Sequence, residues 1–142
     1  MVEILDYYGF GDVTGKTISI IWQSNLVGKP LAVALMNRGA TVGSFNIDSD
    51  SLLVASRCEQ SDIIISATGK VHLIDQWYFW ERIDLSQKVM IDVGRGSFEW
   101  KPAGDINWRY YEQKVQAITP VPWGVGPVTV ACLFANIVKL GG

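Results

Sequence analysis

The stretch "TISIIWQSNLVGKPLA", Thr17 to Ala32, decides the fold. A β-branched apolar run ends in a short polar turn, and a helix opens behind it near Gly28. In this strand, turn and helix arrangement, backbone N–H groups at the helix start can receive a dinucleotide phosphate. Ser24 or Asn25 can cap the helix, and Gly39 follows its last turn. Yet Trp22 stands at the strand end, where such a turn usually has glycine.

Similar runs recur at "TVGSF" (Thr41–Phe45), "DIIISA" (Asp62–Ala67), "KVMIDV" (Lys88–Val93) and "VQAIT" (Val115–Thr119). Between the first four strands lie "GKPLAVALMNRG", "DSLLVASRCEQS" and "IDQWYFWERIDLS", each long enough for a crossover helix or turn; Asp50 or Ser51 can cap the second. Strands apolar on both faces and joined by crossovers predict an α/β, doubly wound, Rossmann-like fold. Its sheet is mostly parallel, with helices on both faces. No repeat or linker divides residues 1–142, so one domain is expected.

Composition narrows the functional classes. The chain is 49% hydrophobic and only 18% charged, an apolar excess that can cover a partner. A net charge of −2 without a basic run leaves no footprint for nucleic acid. No signal peptide or membrane-length apolar segment is present, which predicts a soluble, cytoplasmic protein. Cys58, Cys132 and the single histidine, His72, lack metal-ligand spacing, so no metal site is expected.

In this fold, ligands sit beyond the carboxyl ends of the strands. The first end is "WQSNLVG". The second, "FNIDSD", places Asp48 and Asp50 about 25 residues after the turn, near the spacing of an acid that binds a ribose hydroxyl. "ATGK", "DVGRG" and "TPVPWGVGPVT" supply glycine-containing exits that let a flat ligand approach the backbone. Five converging ends predict a cofactor crevice.

"SNLVGKPLA", "NRGATV", "IDVG", "GDI" and above all "AITPVPWGVGPVTVA" resemble the nucleotide-binding domain of bifunctional methylenetetrahydrofolate dehydrogenase/cyclohydrolases. The resemblance covers nearly the whole chain. It implies binding of NAD or NADP by Trp22, Gln23, Ser24, Gly28, Ile47, Asp48, Thr68, Gly69, Gly94, Arg95, Gly124, Gly126 and Thr129. It also implies a homodimer. Family members are about twice this length, and their amino-terminal domain carries the Tyr-x-x-x-Lys pair and most of the folate pocket. No catalytic residue is therefore expected here, and folate is a substrate only together with that domain.

Where the family reads Gly-Arg-Ser, this chain has Trp22, Gln23 and Ser24, so the arginine for a 2′-phosphate is gone. Ile47 replaces an assisting serine, and Asp48 follows it, which favours NAD over NADP. Trp22, Trp100 and Trp123 each replace a family turn glycine. Two readings of the indoles are open: a source gene that reads UGA as glycine, or indoles that fill a disused pocket. Two functions are open as well: the cofactor half of the enzyme, or a non-catalytic nucleotide-binding or dimerisation module.

Other residues carry plainer readings. Tyr110 and Lys114 share the Tyr-x-x-x-Lys spacing but are expected on a solvated helix face. His72 reads as ordinary surface, Ser24 as a cap or phosphate donor, and Cys58 and Cys132 as small core residues. Tyr7 and Tyr8 are expected to pack the helix that links the two family domains, or to be exposed without that partner.

Overall fold

A computed structural model describes residues 1–76, 78–79 and 83–141. In chain order the elements are α1 (Val2–Tyr7), β1 (Thr17–Ile21), α2 (Gly28–Met36), β2 (Thr41–Phe45), α3 (Ser51–Glu59), β3 (Ile63–Ser66) and β4 (Val89–Asp92). They continue with β5 (Gly96–Phe98), β6 (Lys101–Ala103), α4 (Trp108–Tyr111), β7 (Ala117–Ile118) and α5 (Val125–Gly141). The main sheet runs β2-β1-β3-β4-β7, and every neighbouring pair is parallel. The order reverses between β1 and β3, which makes that gap the topological switch point.

Alternation along each strand builds two cores. Ile18, Ile20, Ile63, Ile65, Val89 and Ile91 pack against Ile4 and Leu5 of α1, Leu31 and Leu35 of α2, and Val125 of α5. On the opposite face Ile21, Ile64 and Met90 meet Val54 and Cys58 of α3, Ile74, Phe79, Ile106 and Tyr111. With both faces covered, a strand buries every side chain, which is why β3 and β4 read as unbroken apolar runs.

Local chemistry fixes the ends of these elements. The Asp50 carboxylate accepts from the Leu53 amide at 2.9 Å, so Asp50 rather than Ser51 caps α3. Arg38 and Asp6 form a two-point ion pair at 2.7 and 3.1 Å that ties the end of α2 to α1. Buried Lys88 donates to the carbonyls of Glu59 and Ser61 at 2.6 and 2.7 Å, stitching the end of α3 to the start of β4.

One expectation changes, one alternative is decided and one element is new. The last main-sheet strand is only two residues, not the five of Val115–Thr119. Between β3 and β4 the described residues form no helix; Ile74 bridges Ile106 and Phe79 packs edge-on against Tyr111, while Trp77, Trp80, Glu81 and Arg82 lie outside the described residues. The chain also makes an antiparallel β5–β6 hairpin, whose two-residue turn, Glu99 and Trp100, has φ of +48° and +65°.

Candidate functional site

Because all five strands are parallel, their carboxyl ends form one rim spanning about 19 Å at the usual strand spacing. From one edge to the other the rim presents Ile47 and Asp48, then Trp22, Gln23 and Ser24, then Thr68 and Gly69, then Gly94 and Arg95, and finally the 119–126 loop. The residues singled out in the sequence therefore stand on one edge of the sheet, with the β1 and β3 ends at the switch point between them.

The first turn closes tightly on Ser24. Its hydroxyl accepts from the amides of Val27 and Gly28 at 3.1 and 3.3 Å, and its carbonyl accepts from Lys29 at 3.0 Å. Neither Ser24 nor Asn25 is the cap of α2: Val27 stands at that position without a side-chain cap bond, and Ser24 instead closes the turn before it. The expectation of free amides there is corrected for Val27, Gly28 and Lys29, which the serine already satisfies. A Cβ at Gly28 would collide with the Trp22 carbonyl oxygen, so the helix can approach the strand end only with glycine. Gln23 donates through its side-chain amide to the Ser44 carbonyl of β2.

On the β2 side Asp48 is exposed and its amide bonds the Asn46 side chain at 3.0 Å, while Ile47 is 60% exposed. Gly69 takes φ of +68° with open space around it, and the Thr68 hydroxyl accepts from the Lys70 amide at 3.0 Å. Arg95 is exposed. Gly124 lies against the Pro120 carbonyl, Gly126 faces open space, and Thr129 turns its hydroxyl to the Val125 carbonyl at 3.0 Å. The Val121–Pro122 peptide is cis.

Beneath the rim lies a buried acidic network that the sequence reading missed. Asp92, at the end of β4, accepts from the amides of Gly94, Asp105 and Ile106 at 2.8, 3.1 and 2.8 Å. Asp105 accepts from the Ser66 hydroxyl at 2.8 Å and from the Thr68 amide, while its other oxygen is buried without a hydrogen bond. Burial pushes the Asp92 carboxyl up to about 6; its three amides oppose that shift and the neighbouring Asp105 charge adds to it. A Cβ at Gly94 would strike the Asp105 carboxylate. The available signal was an acid closing an apolar strand just before glycine, read there as a loop exit.

Two clefts adjoin the rim, and neither is lined by the 22–28 turn. One, of about 610 Å³, runs along β7 between α1 and α5 and includes Thr119, Trp123 and Gly124. The other, of about 470 Å³, is lined by His72, Phe98 and Val121 among others. The His72 ring lies tilted at 44° against Phe98, with centroids 4.9 Å apart. Tyr110 and Lys114 sit before β7, at the amino edge of the sheet; the Lys114 ammonium lies 3.2 Å over the Tyr110 ring, so the pair does not face the rim. Tyr110 is half-buried against the second core, which corrects the expectation of a wholly solvated face. Cys58 is fully buried, its thiol pushed up to about 11 by burial, whereas Cys132 is half-buried on α5 rather than in a core. No cluster of metal-ligating side chains occurs among the described residues.

A parallel sheet of this order, with glycine-bearing loops at its carboxyl rim, defines a Rossmann-like domain. The family model "Tetrahydrofolate dehydrogenase/cyclohydrolase, NAD(P)-binding domain" matches residues 1–141, and the chain belongs to that family. It is 42% identical to the bifunctional protein FolD of Mycoplasma capricolum over 99% of its own length and 47% of that protein's. The FolD methylenetetrahydrofolate dehydrogenase/cyclohydrolase of Campylobacter jejuni superposes with a TM-score of 0.85 at 37% identity, over 96% of this chain and 46% of that one. The Trypanosoma brucei enzyme, solved with NADP cofactor and an inhibitor, gives a TM-score of 0.83 at 29% identity, over the same shares. The chain spans about half the length of the relatives it matches.

Proposed function

We propose that this chain is the cofactor-binding half of a methylenetetrahydrofolate dehydrogenase/cyclohydrolase, its 142 residues forming one NAD(P)-binding domain. The observation that carries the reading is the single rim of five parallel strand ends, where Ser24, Thr68, Gly94 and the 119–126 loop lie on both sides of the switch point. The glycines at 69, 94, 124 and 126 suit a flat ligand lying against the main chain. Held there, a nicotinamide cofactor would supply hydride acceptance from methylenetetrahydrofolate, with hydrolysis of the methenyl product on the same folate. This chain's share is binding and orientation: Ser24 and Gln23 at the phosphates, Thr68 and Gly69 along the crevice, and Gly94, Arg95, Gly124, Gly126 and Thr129 toward the nicotinamide. Proton transfer belongs to a tyrosine and a lysine outside these residues.

The expected cofactor is NAD. Gln23 offers no positive charge, and an Asp48 carboxylate about 4 Å from a 2′-phosphate would cost roughly 1–4 kcal/mol between bulk water and a protein surface. Calorimetric titration should show NAD binding at least about tenfold tighter than NADP; equal or tighter NADP binding refutes the preference. The protein is read as a cytoplasmic homodimer. A second reading, a non-catalytic nucleotide-binding or dimerisation module, is favoured by the exposed apolar face of α5. Joining the chain to an amino-terminal catalytic domain of the family separates the two: hydride transfer to NAD supports the enzyme, and nucleotide binding without turnover supports the module.

A further inference from the structure

Among the described residues, five other than glycine adopt positive φ, and three of them are tryptophans: Trp22 at +87°, Trp100 at +65° and Trp123 at +83°. The chain's own glycines in this region, Gly9, Gly15, Gly39 and Gly69, lie between +68° and +84°. Of the remaining two residues, His72 at +54° lies within the left-handed region that L residues can reach and Glu99 at +48° at its lower edge; Trp100 lies within it too. Trp22 and Trp123 thus match the upper glycine values and go beyond what a bulky side chain ordinarily tolerates. Trp100 fills the second place of a two-residue hairpin turn with positive φ at both positions, a place dominated by glycine.

Packing gives the indoles no compensating role at two of these sites. Trp100 is fully exposed and Trp123 is 83% exposed, although burial of an indole is what normally stabilises its place in a fold. Trp108 provides the internal contrast: it opens α4 with helical backbone, and the Arg109 guanidinium lies 5.6 Å from its ring. Trp22 and Trp123 both stand on the carboxyl rim, one at the β1 end and one in the loop entering α5.

We infer that positions 22, 100 and 123 are glycine in the functional protein, encoded by UGA in a source that reads this codon as glycine, whereas Trp108 is a true tryptophan. The backbone part of this inference stands without the cofactor reading; its binding consequence rests on that reading. Glycine at 22 and 123 would remove two indoles from residues that stand at the carboxyl rim.

The gene sequence and peptide mass spectrometry of the protein from its source test the coding directly. UGA codons with glycine at 22, 100 and 123, and UGG with tryptophan at 108, are expected; UGG at any of the three overturns the inference for that position. In thermal unfolding, Trp22→Gly, Trp100→Gly and Trp123→Gly should each raise Tm by about 2–4 °C, while Trp108→Gly lowers it. A fall in Tm at the three sites refutes the backbone argument. The triple variant should bind NAD at least about tenfold more tightly than the tryptophan form. A raised Tm without nucleotide binding would leave this inference standing and count against the cofactor reading instead.

Discussion

Asp92 makes stability depend on pH in a sense opposite to that of a surface carboxylate. Its folded value, about 6, exceeds the unfolded value near 3.9, so between these limits the folded state holds a proton that the unfolded chain has released. Stability should fall on the order of 2–3 kcal/mol as pH rises through this window, then level off. Urea unfolding from pH 4 to 8 measures it, and Asp92→Asn should flatten the curve; a rise from pH 5 to 7 that survives the substitution contradicts the assignment. Asp12, Asp75 and Asp84, all held low by hydrogen bonds, act below that window. A second residue, Gly28, is constrained sterically: Gly28→Ala would drive a methyl into the Trp22 carbonyl and cost about 1–3 kcal/mol in urea unfolding, with loss of nucleotide binding. A stability unchanged within 0.5 kcal/mol would show that the turn can relax.

Among the elements, the strands were legible because burial on both faces leaves continuous apolar runs such as Ile63, Ile64 and Ile65. The β5–β6 hairpin was not: its three-residue strands are exposed except at Ala103, so no alternation marks them. The Asp92 and Asp105 network was illegible for another reason. Each acid was visible in the sequence, but their burial comes from a chain reversal through that hairpin, which spacing does not disclose. Capping was half legible: Asp50 caps α3 as its residue type suggests, whereas Val27 holds the cap position of α2 and Ser24 binds the turn before it. Asp50→Ala should cost about 1 kcal/mol, measured by urea unfolding; no change would mean the Leu53 amide finds water instead. Helix α5 buries Val125 yet leaves Leu133, Phe134, Ile137 and Val138 more than half exposed. Leu133→Ser with Phe134→Ser should therefore change monomer stability little but weaken self-association in sedimentation. A chain that sediments as a monomer, or a profile the pair leaves unchanged, would rule out α5 as a self-association face.

For the molecule as a whole, no dehydrogenase or cyclohydrolase turnover is expected from these 142 residues alone, since the Tyr110 and Lys114 pair lies at the opposite edge of the sheet from the rim. Measurable turnover by these residues alone would overturn that expectation. The family-wide rim was legible as five chain exits because parallel topology sends every strand the same way. What was not legible is how closely the first exit is shut by Ser24, whose oxygens take three successive amides. The shortness of β7 has a kinetic consequence. Its pairing with β4 spans only Val89↔Ala117 and Met90↔Ile118, two rungs closed across a long stretch of chain, so it gains least for its loop-closure entropy. Amide hydrogen exchange should reach the Thr119 and Gln116 protons through local opening, while the central β1 and β3 amides wait for global unfolding.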